Sequence, residues 1–160
     1  VHVGAHADAP SHYSLEGDSI DQVSLDAYWG PCHVVHTNDS PLITKSACEK
    51  AVTAGAERIL FRTNSFPDPN NFNEDFTAFS AEAIEYMGKN QVKLIGLDTP
   101  SIDPFKSKDL PSHHMILKYG IRNLEGLVLK DVDEGIYELV ALPLNLKGFD
   151  ASPVRAVLKK

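Results

Sequence analysis

Short aliphatic and β-branched runs alternate with capped, Ala-rich stretches along most of this chain, and that alternation restricts it to helices packed on a sheet. Residues 34–37, 58–63 and 92–97 read as strands. Between the first two, Ser46 with Glu49 three residues on has the form of a capping box, and the helix it opens stops at Gly55. Ser80 caps a second helix that runs to Tyr86 and is stopped by Gly88; a third covers 113–119 and ends at Gly120. The run Pro67-Asp68-Pro69-Asn70-Asn71 is turn and loop chemistry. Residues 124–129 and 137–144 form two more strands, joined across Asp131 to Gly135. That link is too short for a helical crossover, which predicts mixed pairing. The expected fold is therefore α/β, with a mixed β-sheet core and flanking helices. At 160 residues the chain suits one domain, 1–160, with its own core.

Charge and hydropathy exclude several classes of partner. A net charge of −7, with no basic patch, argues against nucleic acid and anionic membranes, which need clustered Lys and Arg. The longest apolar runs, such as Leu139-Val140-Ala141-Leu142, fall far short of the roughly 20 residues of a membrane-spanning helix. Cys32 and Cys48 form neither a C-x-x-C pair nor a secreted disulfide framework, so a reduced, cytoplasmic location is expected.

Histidine is the unusual entry in the composition. Of seven, His2, His6 and His12 crowd the first dozen residues, and His113 and His114 are adjacent. His2, His6 and Asp8 stand at even spacing, so an extended segment projects all three to one face. Two imidazoles and a carboxylate suit Zn²⁺ or another first-row divalent ion. The competing reading is a polar loop with surface histidines, and for His33 and His36 that reading is accepted. Glu125 interrupts an apolar strand-like run, where a carboxylate buried without a partner is very costly. Either a metal ion compensates it or it faces solvent on an edge strand.

The run His2-Val3-Gly4-Ala5-His6-Ala7-Asp8-Ala9-Pro10-Ser11-His12 resembles the H-x-G-T-H-x-D-x-P-x-H signature of the cyclase-type metal hydrolases, which include kynurenine formamidases and isatin hydrolases. Ala5 replaces the usual Thr, which removes a hydroxyl but no metal donor. Ser107 to His114, then Leu124-Glu125-Gly126, resemble the formamidase pattern of a His followed twelve residues later by a Glu, which selects His113 and Glu125. The segments Asp98-Thr99-Pro100-Ser101-Ile102-Asp103-Pro104 and Asp150-Ala151-Ser152-Pro153-Val154-Arg155 are similar to the formamidase branch.

The resemblance implies a cyclase-like swivelling β/β/α fold and hydrolysis of N-formyl-L-kynurenine to L-kynurenine and formate by a metal-activated hydroxide, in tryptophan degradation. It implies two Zn²⁺ per chain, with Mn²⁺ or another divalent ion as substitutes. Five donors serve two ions only if Asp8 and Glu125 bridge them. One ion then takes His2, His6, Asp8 and Glu125, and the other takes Asp8, His113 and Glu125. By the same resemblance His12 is the general acid/base; the alternative is a substrate-orienting role. The loop Thr63-Asn64-Ser65-Phe66-Pro67 suits a site-forming loop, with Phe66 equally suited to the core, and no substrate-binding residue is assigned. The family also leads one to expect a homodimer and a segment upstream of Val1. Two alternatives are a different cyclase-type amide hydrolase, such as an isatin hydrolase, and a non-catalytic metal-binding protein.

Overall fold

The computed structural model describes residues 1–37 and 40–160. Its strands are β1 (His6–Asp8), β2 (Trp29–His36), β3 (Leu42–Ile43), β4 (Arg58–Arg62), β5 (Ala78–Phe79), β6 (Leu94–Leu97), β7 (Arg122–Glu125), β8 (Gly135–Val140), β9 (Ala151–Pro153) and β10 (Val157–Lys159). Three helices are interleaved: α1 (Lys45–Thr53), α2 (Ala81–Lys89) and α3 (Pro111–Tyr119). Eight strands form one sheet in the order β10-β8-β2-β4-β6-β7-β1-β9, and β3 pairs with β5 alone. The middle of the large sheet, β2-β4-β6-β7, is parallel, with one helix in each connection. Antiparallel strands complete both sides, so the expected mixed α/β sheet is observed.

The parallel strands are covered on both faces, as their continuous apolar runs require. On one face Ile59, Phe61, Ile95 and Leu97 pack against Cys48, Ala51, Ile84, Met87 and Ile116 of the three helices. On the other, Val34, Leu60, Leu94 and Leu124 pack with Ile20, Val23 and Tyr28 from the segment between β1 and β2. Each such fully buried side chain contributes roughly 1.5–3 kcal/mol. Cys32 and Cys48 are both buried free thiols, and burial pushes each up to about 12, so neither is reactive.

Four local expectations shift. The first helix begins two residues earlier than the capping box implied: Thr44 is the N-cap, and Ser46 sits in the first turn, its hydroxyl bonded to that of Thr44. Ser80 does cap α2 by accepting from the Ala83 amide, but the helix runs through Gly88 to Lys89. Gly88 is a packing residue: a Cβ there would lie 2.3 Å from Cγ of Tyr119, where α3 crosses α2. The strand expected at 92–97 is shorter, Leu94–Leu97. The strands at 124 and 137 exist, yet they do not pair with each other. β7 lies between β6 and β1, and β8 lies between β2 and β10. The chain leaves the sheet at Gly126 (φ +64°), whose missing Cβ would otherwise meet the Gly4 carbonyl oxygen at 2.4 Å. The close approach at Gly126 lets the first residues lie beside β7.

Candidate metal centre

Insertion of β1 between β7 and β9 builds the site. It places His6 directly across from Glu125, and Asp8 across from Ala151. His6 and Asp8, two apart on one strand, share a face as their spacing required. His2 does not belong to that strand. Gly4 (φ +62°) bends the chain, and the His2 ring folds back until Nδ1 is 3.0 Å from Oδ1 of Asp8. His2 comes beside Asp8 by a turn and not by the strand alternation that the even spacing implied.

His113 comes from the helical layer on the same face of the sheet, in the first turn of α3. Asp103 accepts the Ser112 and His113 backbone amides (2.9 and 3.1 Å) and the His113 Nδ1–H (2.7 Å). One carboxylate thus satisfies amides that the helix start leaves unpaired and orients the ring it delivers. The same helix start carries strain, since Leu110 at its N-cap is left-handed (φ +42°) without being glycine. His114 points outward and is exposed.

Around one point, Nε2 of His6 lies 3.5 Å from Asp8 and 3.4 Å from Glu125, and Nε2 of His113 lies 3.5 and 3.6 Å from the same two carboxylates. These separations are too long for good hydrogen bonds. Nε2 of His6, Oδ1 of Asp8 and Nε2 of His113 are buried without a hydrogen-bond partner. Buried polar atoms left so are costly. His6 donates its Nδ1–H to the Gly4 carbonyl (2.9 Å), which leaves the Nε2 lone pair aimed at the cluster. Asn123 donates to Asp8 (2.7 Å) and Glu125 (3.2 Å), holding together two acids that repel. Glu125 also accepts the Ile102 amide at 2.9 Å. It is 4% exposed and ends β7, so the solvent-facing alternative is excluded.

The acids dominate the protonation of the cluster. Burial opposes charge on His113, but its hydrogen bond to Asp103 and the nearby carboxylates of Asp8 and Glu125 outweigh it and push the ring up to about 11. Burial likewise opposes charge on His6, and Glu125 then Asp8 outweigh it; the Asp8 carboxylate 3.0 Å away raises His2. Asp8 is held well below the usual carboxylate range: burial works against this, and His113, His2 and His6 overcome it. A cluster of this kind demands positive charge. A divalent ion supplies it with the N and O donors present, so the residues fit such an ion. Among the described residues, the triples with metal-ligand spacing are His6–Asp8–Glu125 and His2–Asp8–His12, and Asp8 is common to both.

Spacing alone did not point to Asp103 or Asn123. Asn123 was within reach, since it stands two residues before Glu125 and so shares its face of β7. His12 ends a 3₁₀ turn at the rim of the cluster, its Nδ1 3.1 Å from Asp150. His33 and His36 lie on β2, away from it.

A cavity of about 490 Å³ opens beside the cluster, with His2 and His6 on its wall and Phe66, Phe72 and Leu129 among its apolar lining. Phe66 therefore lines the cavity, and its ring meets Phe72 edge-on at 5.9 Å. The loop bearing it is pinned by Asp98, which accepts the Thr63 and Asn64 amides and the Thr63 hydroxyl.

A family model described as putative cyclase matches residues 1–104, a stretch that includes His2, His6, Asp8 and His12. The kynurenine formamidase of Bordetella petrii is 49% identical over 160 residues, covering 99% of this chain and 77% of that protein. The chain belongs to the cyclase family. The aligned stretch of the Bordetella relative extends past the family match to include His113 and Glu125. A solved cyclase-family structure, described as a potential metal-dependent hydrolase with cyclase activity, superposes with a TM-score of 0.86 at 32% identity, covering 99% of this chain and 78% of that one. An isatin hydrolase bound to thioisatinate superposes with a TM-score of 0.80, covering 98% of this chain and 71% of that one, but at 20% identity it supports the cyclase fold alone.

Proposed function

We propose that this protein is an arylformamidase that hydrolyses N-formyl-L-kynurenine to L-kynurenine and formate. The observation that carries this reading is the convergence of buried, unpartnered His6, Asp8 and His113 atoms on one point, beside an aromatic cavity, in a chain half identical to a kynurenine formamidase. His2, His6, Asp8, His113 and Glu125 would hold two divalent ions, zinc by donor chemistry. When bound, the ions supply Lewis acidity, which polarises a formyl oxygen and makes a nucleophile available at neutral pH.

The chain's own residues do the rest. The aryl ring packs against the Phe66–Phe72 pair on the cavity wall, where edge and face contacts favour a flat aromatic group. A cavity of this size holds a ligand of the substrate's dimensions. Lys130, exposed at the same rim, offers a cation to the substrate's carboxylate. His12, beside His2 and half exposed, takes a proton from the attacking water and returns it to the departing aniline nitrogen. The leaving amine needs that proton, and an imidazole can both accept and return it near neutrality. We further infer a homodimer in a reducing compartment, consistent with two buried free thiols.

The test is direct. Purified protein loaded with zinc should convert N-formyl-L-kynurenine to kynurenine with one formate per turnover, and leave isatin intact. A fully zinc-loaded protein that opens isatin and spares the formamide would overturn the reading in favour of a cyclic-amide hydrolase.

A further inference from the structure

Asp150 belongs to none of the proposed ligand sets, yet its Oδ2 contacts two of the site's rings. It lies 3.1 Å from Nδ1 of His12 and 3.2 Å from Nε2 of His2. The two rings stack beside it with centroids 4.2 Å apart. The backbone fixes where this carboxylate stands. The Asp150 carbonyl accepts the Ala9 amide at 2.8 Å, and Ala151 begins the pairing of β9 with β1 opposite Asp8. Just before it, the Phe149 carbonyl accepts the Ile20 amide at 2.8 Å, and the Gly148 amide donates to Asp21 at 2.9 Å. His12 is tied to the same anchor, because its amide donates to the Ala9 carbonyl at 2.9 Å.

We propose that Asp150 is a positioning residue that sets the ring tautomers of His12 and His2 through one shared oxygen. The proposal rests on His12 as proton carrier and His2 as metal donor. A carboxylate only accepts hydrogen bonds, so Nδ1 of His12 and Nε2 of His2 are the nitrogens that carry hydrogen. In a neutral imidazole the other nitrogen then holds the lone pair. For His12 that is Nε2, free of Asp150 and available to take a proton. For His2 both nitrogens face carboxylates, Nδ1 with Asp8 at 3.0 Å and Nε2 with Asp150 at 3.2 Å; an ion held at the cluster would take the Nδ1 lone pair in place of the hydrogen shared with Asp8, while Asp150 keeps the hydrogen on Nε2. Without Asp150 each ring can hold its hydrogen on either nitrogen, and the two useful lone pairs coincide only part of the time. Asp150 touches neither the reacting atoms nor an ion; it acts through the two rings.

Asp150 is partly exposed and its backbone bonds are independent of its side chain, so Asp150→Ala and Asp150→Asn should fold normally. In the zinc-loaded protein, kcat should fall about 10–100-fold with KM little changed, as for other residues that orient a site from outside it. Side-chain ¹H–¹⁵N spectra should show His12 protonated at Nδ1 in the parent and shifted toward Nε2–H in Asp150→Ala. If His12 keeps its tautomer in Asp150→Ala, or if kcat is unchanged, the proposal is overturned. Loss of bound zinc in step with kcat and no tautomer change would also overturn it, since Asp150 would then act on the ions alone. A parent enzyme inactive on N-formylkynurenine whose His12 tautomer still depends on Asp150 would refute the substrate and leave the positioning role standing.

Discussion

Replacing Glu125 with Gln separates charge from shape at the centre of the site. Its Oε1 accepts the Ile102 amide and the Asn123 side chain, so the Gln carbonyl oxygen must take that position. The amide nitrogen then occupies the place of Oε2, 3.4 Å from Nε2 of His6, and directs hydrogens to where the proposed ion would be held. A residue that only orients a ligand costs about 10–100-fold in metal affinity, so a shared ligand should cost at least about 100-fold. At a zinc concentration near 100 times the parent dissociation constant, binding stabilises the parent by about 2.7 kcal/mol; in the variant the ratio falls to about 1 and the gain to about 0.4 kcal/mol. For a domain of this size that reduces a zinc-induced rise in Tm of about 5–11 °C to about 1–2 °C. Thermal unfolding with and without zinc measures the difference directly, because any effect on the metal-free fold cancels. Turnover should fall alongside. A variant with the parent's full zinc-induced shift and near-parent kcat would show that Glu125 is not a ligand, and its burial would then need another explanation.

Further outcomes follow from the same geometry. His12→Ala should keep its full zinc content and lose about 10²–10⁴-fold in rate; elemental analysis showing lost metal would make His12 a ligand in the triple with His2 and Asp8. Zinc uptake should release protons, because the carboxylates raise His2, His6 and His113 and an ion must displace what those rings hold. Affinity should therefore weaken as pH falls, and calorimetry in buffers of different ionisation heat should count the protons; no release would mean that the rings are neutral before binding. Gly126→Ala forces a side chain into a left-handed residue and against the Gly4 carbonyl, so stability should drop by about 1–3 kcal/mol and zinc affinity should fall with it. Unchanged denaturant midpoint and zinc binding would show that the chain can move aside there.

Much of this protein is legible in the order of its residues, because those features are local. The site residues His2, His6, Asp8 and His12 lie within one short run, and β-branched stretches with capped helices between them report a covered sheet from their own period. Ser80 caps α2 because a side chain and an amide three residues away are enough to make that bond. What the tertiary structure decided is which distant segments meet. The strands at 124 and 137 are joined by a short link, but β7 pairs along both of its edges, with β6 and β1, and so has no free edge for β8. That choice puts Glu125 opposite His6. Gly88 resembled a helix stop until the Tyr119 ring occupied the space beside it. Asp103, Asn123 and Asp150 are ordinary polar residues in isolation; each acquires a function only when the fold sets its oxygen or amide within hydrogen-bond reach of a ring or an acid far away in the chain. Hydrogen bonds and ion pairs act over a few ångströms, and only the folded sheet brings these groups that close.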